Sequence, residues 1–308
     1  MAWRPVATRE ILAGRARILA EVRRFFAKRG VLEVETPLLS PEVVPEAHLE
    51  PLPCAGGFLH TSPEATMKRL VAAGYGAIFQ ICRVFRADEA GRWHNPEFTM
   101  LEWYRPGWRL EQLMGEVTEL VGHFVARSAP RTLTWRELYR RHALVDPDAA
   151  TWEELAARTT SPTEGLDRDG VLDLLFVEWI EPALALEKGM VLVTGFPASR
   201  AAMAQVDPGP PPVARRCELY VDGVELANGY QELTDPAEQR QRLARVNMRR
   251  QAQGLSPLPV DAKFLAALGH GLPECAGVAL GVDRLVMLAL GCARIQDVLA
   301  FPADAQGS

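Results

Sequence analysis

Twenty residues, Phe85 to Tyr104 (FRADEAGRWHNPEFTMLEWY), constrain this chain more than any others. A His-Asn-Pro turn separates two stretches with strand-like alternation, which predicts an antiparallel hairpin. The first strand, residues 77–86, places Gln80, Cys82, Val84 and Arg86 on one face. The second places Phe98, Met100, Glu102 and Tyr104 on one face. A hairpin that only fills a sheet carries far less charge. An arginine that can fork onto a phosphate or carboxylate, a flat aromatic ring and a carboxylate on adjacent strands point to a site for a nucleotide plus an amine. Taken singly these residues keep plainer readings: Asp88 and Glu89 as loop charges, His94 as a locally bonded turn residue, Phe98 as core and Tyr104 as a half-buried strand residue.

A second hairpin is written in CELYVDGVELANGYQEL, which turns at Asp222-Gly223, a strong two-residue turn signal. Counting back from the turn pairs Tyr220 with Glu225 and Glu218 with Ala227. Glu218 and Glu225 then lie diagonally on one face. Two carboxylates so placed repel unless a cation sits between them, and a divalent ion carrying phosphates satisfies both; a solvated edge hairpin is the plainer alternative. Strict alternation puts Asn228 and Glu232 on the face opposite Glu225, a conflict that a kink at Gly229 would remove. Near the end, GVALGVDRLVMLAL combines a glycine-bearing strand with an apolar helix. Arg284 near that helix's N-terminus gains only if it meets an anion.

Between these segments the chain reads as helices over 9–29, from Ser62-Pro63 to about Ala73, over 109–127 and over 236–253. Ser62 serves as N-cap of the second, and Glu64 in its first turn suits the helix dipole. VLEVETPLL and VLVTGFP read as strands, and 131–185 as a largely helical insert. Hairpin-joined strands with helices grouped between them imply an α+β fold on an antiparallel-rich sheet.

With 308 residues, 48% of them hydrophobic, the chain can bury a full core. A net charge of −5 argues against a protein whose main work is gripping a polyanion. No apolar run is long enough to span a bilayer. Five widely spaced cysteines without a CxxC pair, and an N-terminus without a signal-peptide core, predict a reducing, cytoplasmic setting. The histidines show no metal-ligand spacing.

The Phe85–Tyr104 stretch resembles motif 2 of the class II aminoacyl-tRNA synthetases, in particular the lysyl branch. GVLEVETPLL with Pro37 resembles motif 1, and GVALGVDRLVML resembles motif 3. TSPEATMKRL and ELYVDGVELANGYQEL are similar to further segments, so the likeness runs in order along nearly the whole chain. It implies one catalytic domain over 1–308: an antiparallel sheet of six or seven strands flanked by helices, dimerising through motif 1. ATP and Mg2+ are implied. Arg86 would contact the α-phosphate and the substrate carboxylate. Asp88, Glu89, His94 and Asn95 would serve the nucleotide loop, with Phe98 stacked on adenine and Arg284 on its other face. Leu226 and Gly281 would border the nucleotide, and Glu218 and Glu225 would hold magnesium. Ser62, Glu64, Glu102, Tyr104, Asn228, Glu232 and Ala279 would line the amino-acid pocket, whose carboxylates suit a substrate with two ammonium groups.

Departures from the lysyl pattern carry further implications. Motif 1 begins about thirty residues in, leaving no room for the family's OB-fold anticodon-reading domain. The family's glycines are Ala279 in motif 3 and Ala227 before Asn-Gly, and Asp88 stands for a glutamate. With FPASRAAMAQ at 196–205, these features resemble the stand-alone lysyl-synthetase paralogues that modify elongation factor P. That likeness implies activation of (R)-β-lysine with ATP, transfer to a lysine ε-amine of elongation factor P, a homodimer, and no stable tRNA binding. A minimal enzyme charging tRNA and an inactive amino-acid-sensing paralogue are the rival readings.

Overall fold

The computed structural model describes residues 3–46, 49–87, 89–125, 127 and 129–303. Its centre is an eight-stranded sheet. In chain order the strands are β1 (Leu32–Glu33), β2 (Ile78–Phe85), β3 (Glu97–Pro106), β4 (Arg131–Thr134), β5 (Met190–Thr194), β6 (Arg216–Val221), β7 (Val224–Gln231) and β8 (Cys275–Gly281). Across the sheet the order is β1-β2-β3-β8-β7-β6-β5-β4. The six inner strands are antiparallel throughout, and β1 and β4 add in parallel at the two edges. The α+β class is as expected. The strand count exceeds expectation because the insert opens with a strand that joins the sheet instead of being helical from the start.

The helices used below are α1 (Arg9–Ala27), α2 (Glu64–Ala72), α3 (Leu110–Gly122), α4 (Arg168–Leu175), α5 (Pro236–Ala252), α6 (Ala262–Gly271) and α7 (Val282–Ala289). Alternation along β3 divides the molecule. Leu101 and Trp103 face a core with α1, α3 and α7, where Val22, Phe26, Leu113 and Leu285 are fully or almost fully buried. Fully burying each such side chain contributes about 1.5–3 kcal/mol. Tyr104 points to the other face and packs with Met67 of α2, Leu243 of α5 and Phe264 of α6. That second face holds the cleft. The insert adds its own cluster, in which Tyr139, Leu172 and Leu175 pack on Val191, Val193 and Tyr220 of the sheet.

Local chemistry explains several boundaries. Thr8 caps α1 by accepting from the Ile11 N–H at 3.3 Å. Asp222 and Gly223 have φ of 51° and 81°, the two positive values that a tight Asp-Gly hairpin turn requires. In motif 3, Asp283 is buried and accepts the Thr99 N–H at 2.8 Å while pairing with Arg15. This latches the start of α7 to β3 and α1, so Asp283 positions its neighbour Arg284. The helix α6 has no counterpart among the sequence expectations.

Candidate active site

The cleft occupies about 540 Å³ over the centre of the sheet. Its floor comes from β3, β8 and β7. Register across these strands sets Glu102 beside Ala279, and Ala279 beside Asn228. Facing side chains on neighbouring strands share one surface, so two polar groups flank one methyl. Tyr104, Gly277 and Tyr230 form the next row. Gly277 is glycine for a spatial reason: a Cβ there would lie 2.3 Å from Glu232 Oε1 and 2.4 Å from the Tyr104 ring.

The second hairpin corrects one expectation and resolves the conflict. Tyr220 does pair with Glu225, but Glu218 pairs with Asn228, not Ala227. The register shifts between Leu219 and Tyr220, leaving Leu226 as the extra residue of a β-bulge. The bulge reverses the alternation beyond it. Glu225, Asn228 and Glu232 thereby all line the cleft. Gly229, proposed as the kink, pairs regularly with Cys217 and Val278.

At the end of the cleft expected to take the amino acid, Glu102, Glu232 and the helix residue Glu64 surround a lysine that sequence reasoning missed. Lys68 is 1% exposed and lies 2.5 Å from Glu64 and 2.6 Å from Glu232. Burial would lower its pKa, but Glu232 and Glu64 override this and raise it, so it is firmly cationic. Burial pushes Glu232 up to about 7 against the pull of Lys68. Glu102 is pushed up to about 8 by burial and then by Glu64, opposed by the Tyr104 hydroxyl. That hydroxyl donates to Glu102 Oε1 at 2.6 Å. Glu102 Oε2 and Asn228 Oδ1 are buried and accept no hydrogen bond among the described residues. Such orphaned acceptors are costly unless a ligand uses them. Ser62 caps less directly than expected: Pro63 holds the N-cap position of α2, and Ser62 Oγ accepts from the Glu64 N–H at 3.3 Å.

The end expected to take the nucleotide is cationic. Arg86 donates to Glu89 at 2.9 Å, sits 5.1 Å from the Phe98 ring centroid, and leaves its buried Nε without a partner among the described residues. Arg284, the third residue of α7, reaches the Glu225 carbonyl at 2.7 Å and the Trp93 carbonyl at 3.2 Å. Its Nη2 lies 2.7 Å from His94 Nε2. Burial and then Arg284 lower the His94 pKa, so the ring is neutral and Nε2 accepts. Asn95 lines the cleft, yet its amide donates to the Glu97 carbonyl at 2.7 Å and accepts from the Ala303 N–H at 3.0 Å; it latches the loop. Leu226 and Gly281 also border the cleft. Asp88 lies outside the described residues.

The Glu225 pKa is raised by burial and next by Glu218. Glu218 lies behind the cleft wall, where Arg216 and the Tyr220 hydroxyl (2.8 Å) hold its carboxylate. Arg216, also missed from sequence, is stacked near Phe196 and Tyr230. Among the described residues no group of three or more His, Cys, Asp or Glu side chains could hold a metal ion. The half-exposed Glu225 carboxylate, raised in part by the Glu218 charge, nevertheless suits a hard cation whose other ligands come from phosphates and water.

A family model described as tRNA synthetases class II (D, K and N) matches residues 1–305. The chain belongs to this class II synthetase family. Within it, the chain is 49% identical over 317 residues to the elongation factor P–(R)-β-lysine ligase of Proteus mirabilis, covering 97% of both chains. It is 48% identical to the protein of that name from Erwinia tasmaniensis and 47% to that of Salmonella arizonae, with 98% of each chain covered in both cases.

Proposed function

We propose that this chain is an ATP-dependent ligase that activates (R)-β-lysine as its adenylate and transfers it to a lysine side chain of elongation factor P. The observation that carries the substrate reading is the amine end. Its orphaned Glu102 and Asn228 oxygens, with Glu64 and Glu232, offer acceptors for two ammonium groups, while Lys68 limits the excess negative charge. The full-length likeness to ligases of that name supports the acceptor.

In the first step the substrate carboxylate attacks the α-phosphorus and pyrophosphate leaves. Arg86 would hold the carboxylate and α-phosphate through its unpartnered Nε and its outer nitrogens. Arg284, set by Asp283 and His94, would take charge on the departing phosphates. Catalysis here is positioning and electrostatic stabilisation. Glu225 would hold Mg2+ from the cleft wall, with the Glu218 charge supporting it from behind; the ion would supply further charge neutralisation. Phe98 would stack on the adenine ring.

A homodimer through the motif 1 segment is part of the proposal. Leu32, Leu38 and Leu39 there are 50%, 38% and 45% exposed, and sedimentation should return twice the chain mass. The five cysteines are all free, which suits the reducing cytoplasm we propose as its setting. Among the described residues no helix is long and apolar enough to cross a membrane. The decisive experiment is ATP–pyrophosphate exchange with (R)-β-lysine, followed by mass analysis of elongation factor P.

A further inference from the structure

The ligase reading leaves one chemical step without a residue. The acceptor lysine must react as a free amine, yet at neutral pH it is an ammonium. Arg86 and Arg284 are cations, His94 Nε2 is occupied by Arg284, and Glu102 and Glu232 lie in the amine pocket. We infer that the carboxylate of Glu46 draws in the acceptor ammonium and accepts its proton.

Position is the first argument. Glu46 lines the cleft. The charged groups that act on it are Arg86 and Arg216 from the nucleotide side, Glu64 from the amine side, and Glu89; the Tyr230 hydroxyl also feels its charge. The reacting bond joins the two halves of the adenylate, and Glu46 stands on the cleft wall among groups of both ends. Freedom is the second. Among the described residues no hydrogen bond or ion pair engages this carboxylate, and its side chain is exposed at the cleft mouth, where a lysine from another protein arrives. Support is the third. The fully buried Arg250 donates to the Glu46 and Leu49 carbonyls at 3.2 Å each and pairs with Glu50 at 2.5 Å. This holds the segment in place while leaving the Glu46 side chain unspent. Although the side chain keeps contact with water, the protein packed around the cleft mouth partly desolvates it and raises its pKa to about 6, against Arg86. It is therefore ionised at neutral pH and more basic than an ordinary carboxylate. Desolvation as the acceptor enters lowers the ammonium pKa and raises that of Glu46, narrowing the gap between them.

The step balances. Glu46 takes one proton from the ammonium. The freed nitrogen lone pair forms the bond to the acyl carbon. The bond from acyl carbon to phosphate oxygen breaks, its electron pair leaving on AMP. The second nitrogen proton goes to the departing phosphate or to water.

This inference rests on the ligase reading, and the test separates the two. Enzyme preloaded with β-lysyl adenylate is mixed with elongation factor P, quenched over time and analysed by mass; pyrophosphate exchange is measured on the same preparation. Glu46→Gln is expected to lower the ratio of transfer to exchange by roughly 100-fold or more and to flatten the rise of transfer rate with pH near 6. Glu46→Asp is expected to recover part of the ratio. An unaltered ratio, with transfer falling only in step with exchange, overturns the assignment of Glu46. A wild-type protein that fails to exchange with β-lysine, or never labels the factor, overturns the ligase reading itself.

Discussion

Replacing Glu102 with glutamine removes a carboxylate that can ionise to meet a cation in the amine pocket, and little else. The side chain is 2% exposed, and glutamine keeps an oxygen to accept from the Tyr104 hydroxyl, 2.6 Å away in the parent. The loss falls on the oxygen that has no partner in the free protein. Truncating one member of a buried, hydrogen-bonded charge pair costs about 2–5 kcal/mol. Because glutamine remains an acceptor, the lower end applies, giving roughly a 30- to 300-fold rise in KM for (R)-β-lysine. The KM for ATP should stay within about twofold, since the nucleotide end is untouched. A pH signature accompanies this. Glu102 is pushed up to about 8, so below pH 8 it is neutral and gives a cation no charge to meet. A dication binds the ionised form, so affinity in the parent should rise with pH between 7 and 8 as one proton is released. Glu102→Gln should abolish that rise and keep a separate one below pH 7 from Glu232. Pyrophosphate exchange at several pH values measures both. An unchanged KM for β-lysine, or KM values for both substrates rising together, would refute the argument.

Lys68→Met should destabilise the fold by about 3 kcal/mol, since it strands the buried Glu232 and the partly buried Glu64; thermal melts should show this loss growing as pH rises through 7, where Glu232 ionises. Arg284→Ala should bring exchange to background with a near-parental melting temperature, and retained exchange would remove it from the phosphate site. Ala279→Gly removes the methyl between Glu102 and Asn228 and should shift the β-lysine to α-lysine rate ratio toward α-lysine; an unmoved ratio takes Ala279 out of the specificity argument. Gly277→Ala should abolish exchange, because its Cβ collides with Glu232 and Tyr104.

How much of this was legible in the sequence depends on how local each cause is. The first hairpin was readable because its alternation runs unbroken: Gln80 faces Glu102 and Val84 faces Phe98, as the pattern requires. The Asp-Gly turn was readable for the same local reason. The bulge at Leu226 was not, since an ordinary leucine there carries no backbone signal and the irregularity depends on pairing with both neighbouring strands. Gly229 was the tempting choice, yet its smallness serves close approach to Val278 and the Gly277 carbonyl. Lys68 left a faint trace: it stands four residues after Glu64 and between Met67 and Val71 on the buried face of α2. Its second partner, Glu232, is remote in sequence, so the charge cluster could not be read from α2 alone. Arg216 and Glu46 likewise gain their roles from contacts across the fold. The strand at Arg131–Thr134 was hidden because a short edge strand needs only one neighbour.

The most direct test of the central claim is pyrophosphate exchange with (R)-β-lysine and with α-lysine, followed by mass spectrometry after adding elongation factor P or bulk tRNA. The account predicts faster exchange with β-lysine and a mass gain of one β-lysyl group on the factor. Exchange with α-lysine and charging of tRNA alone would contradict it, as would no exchange with either amino acid.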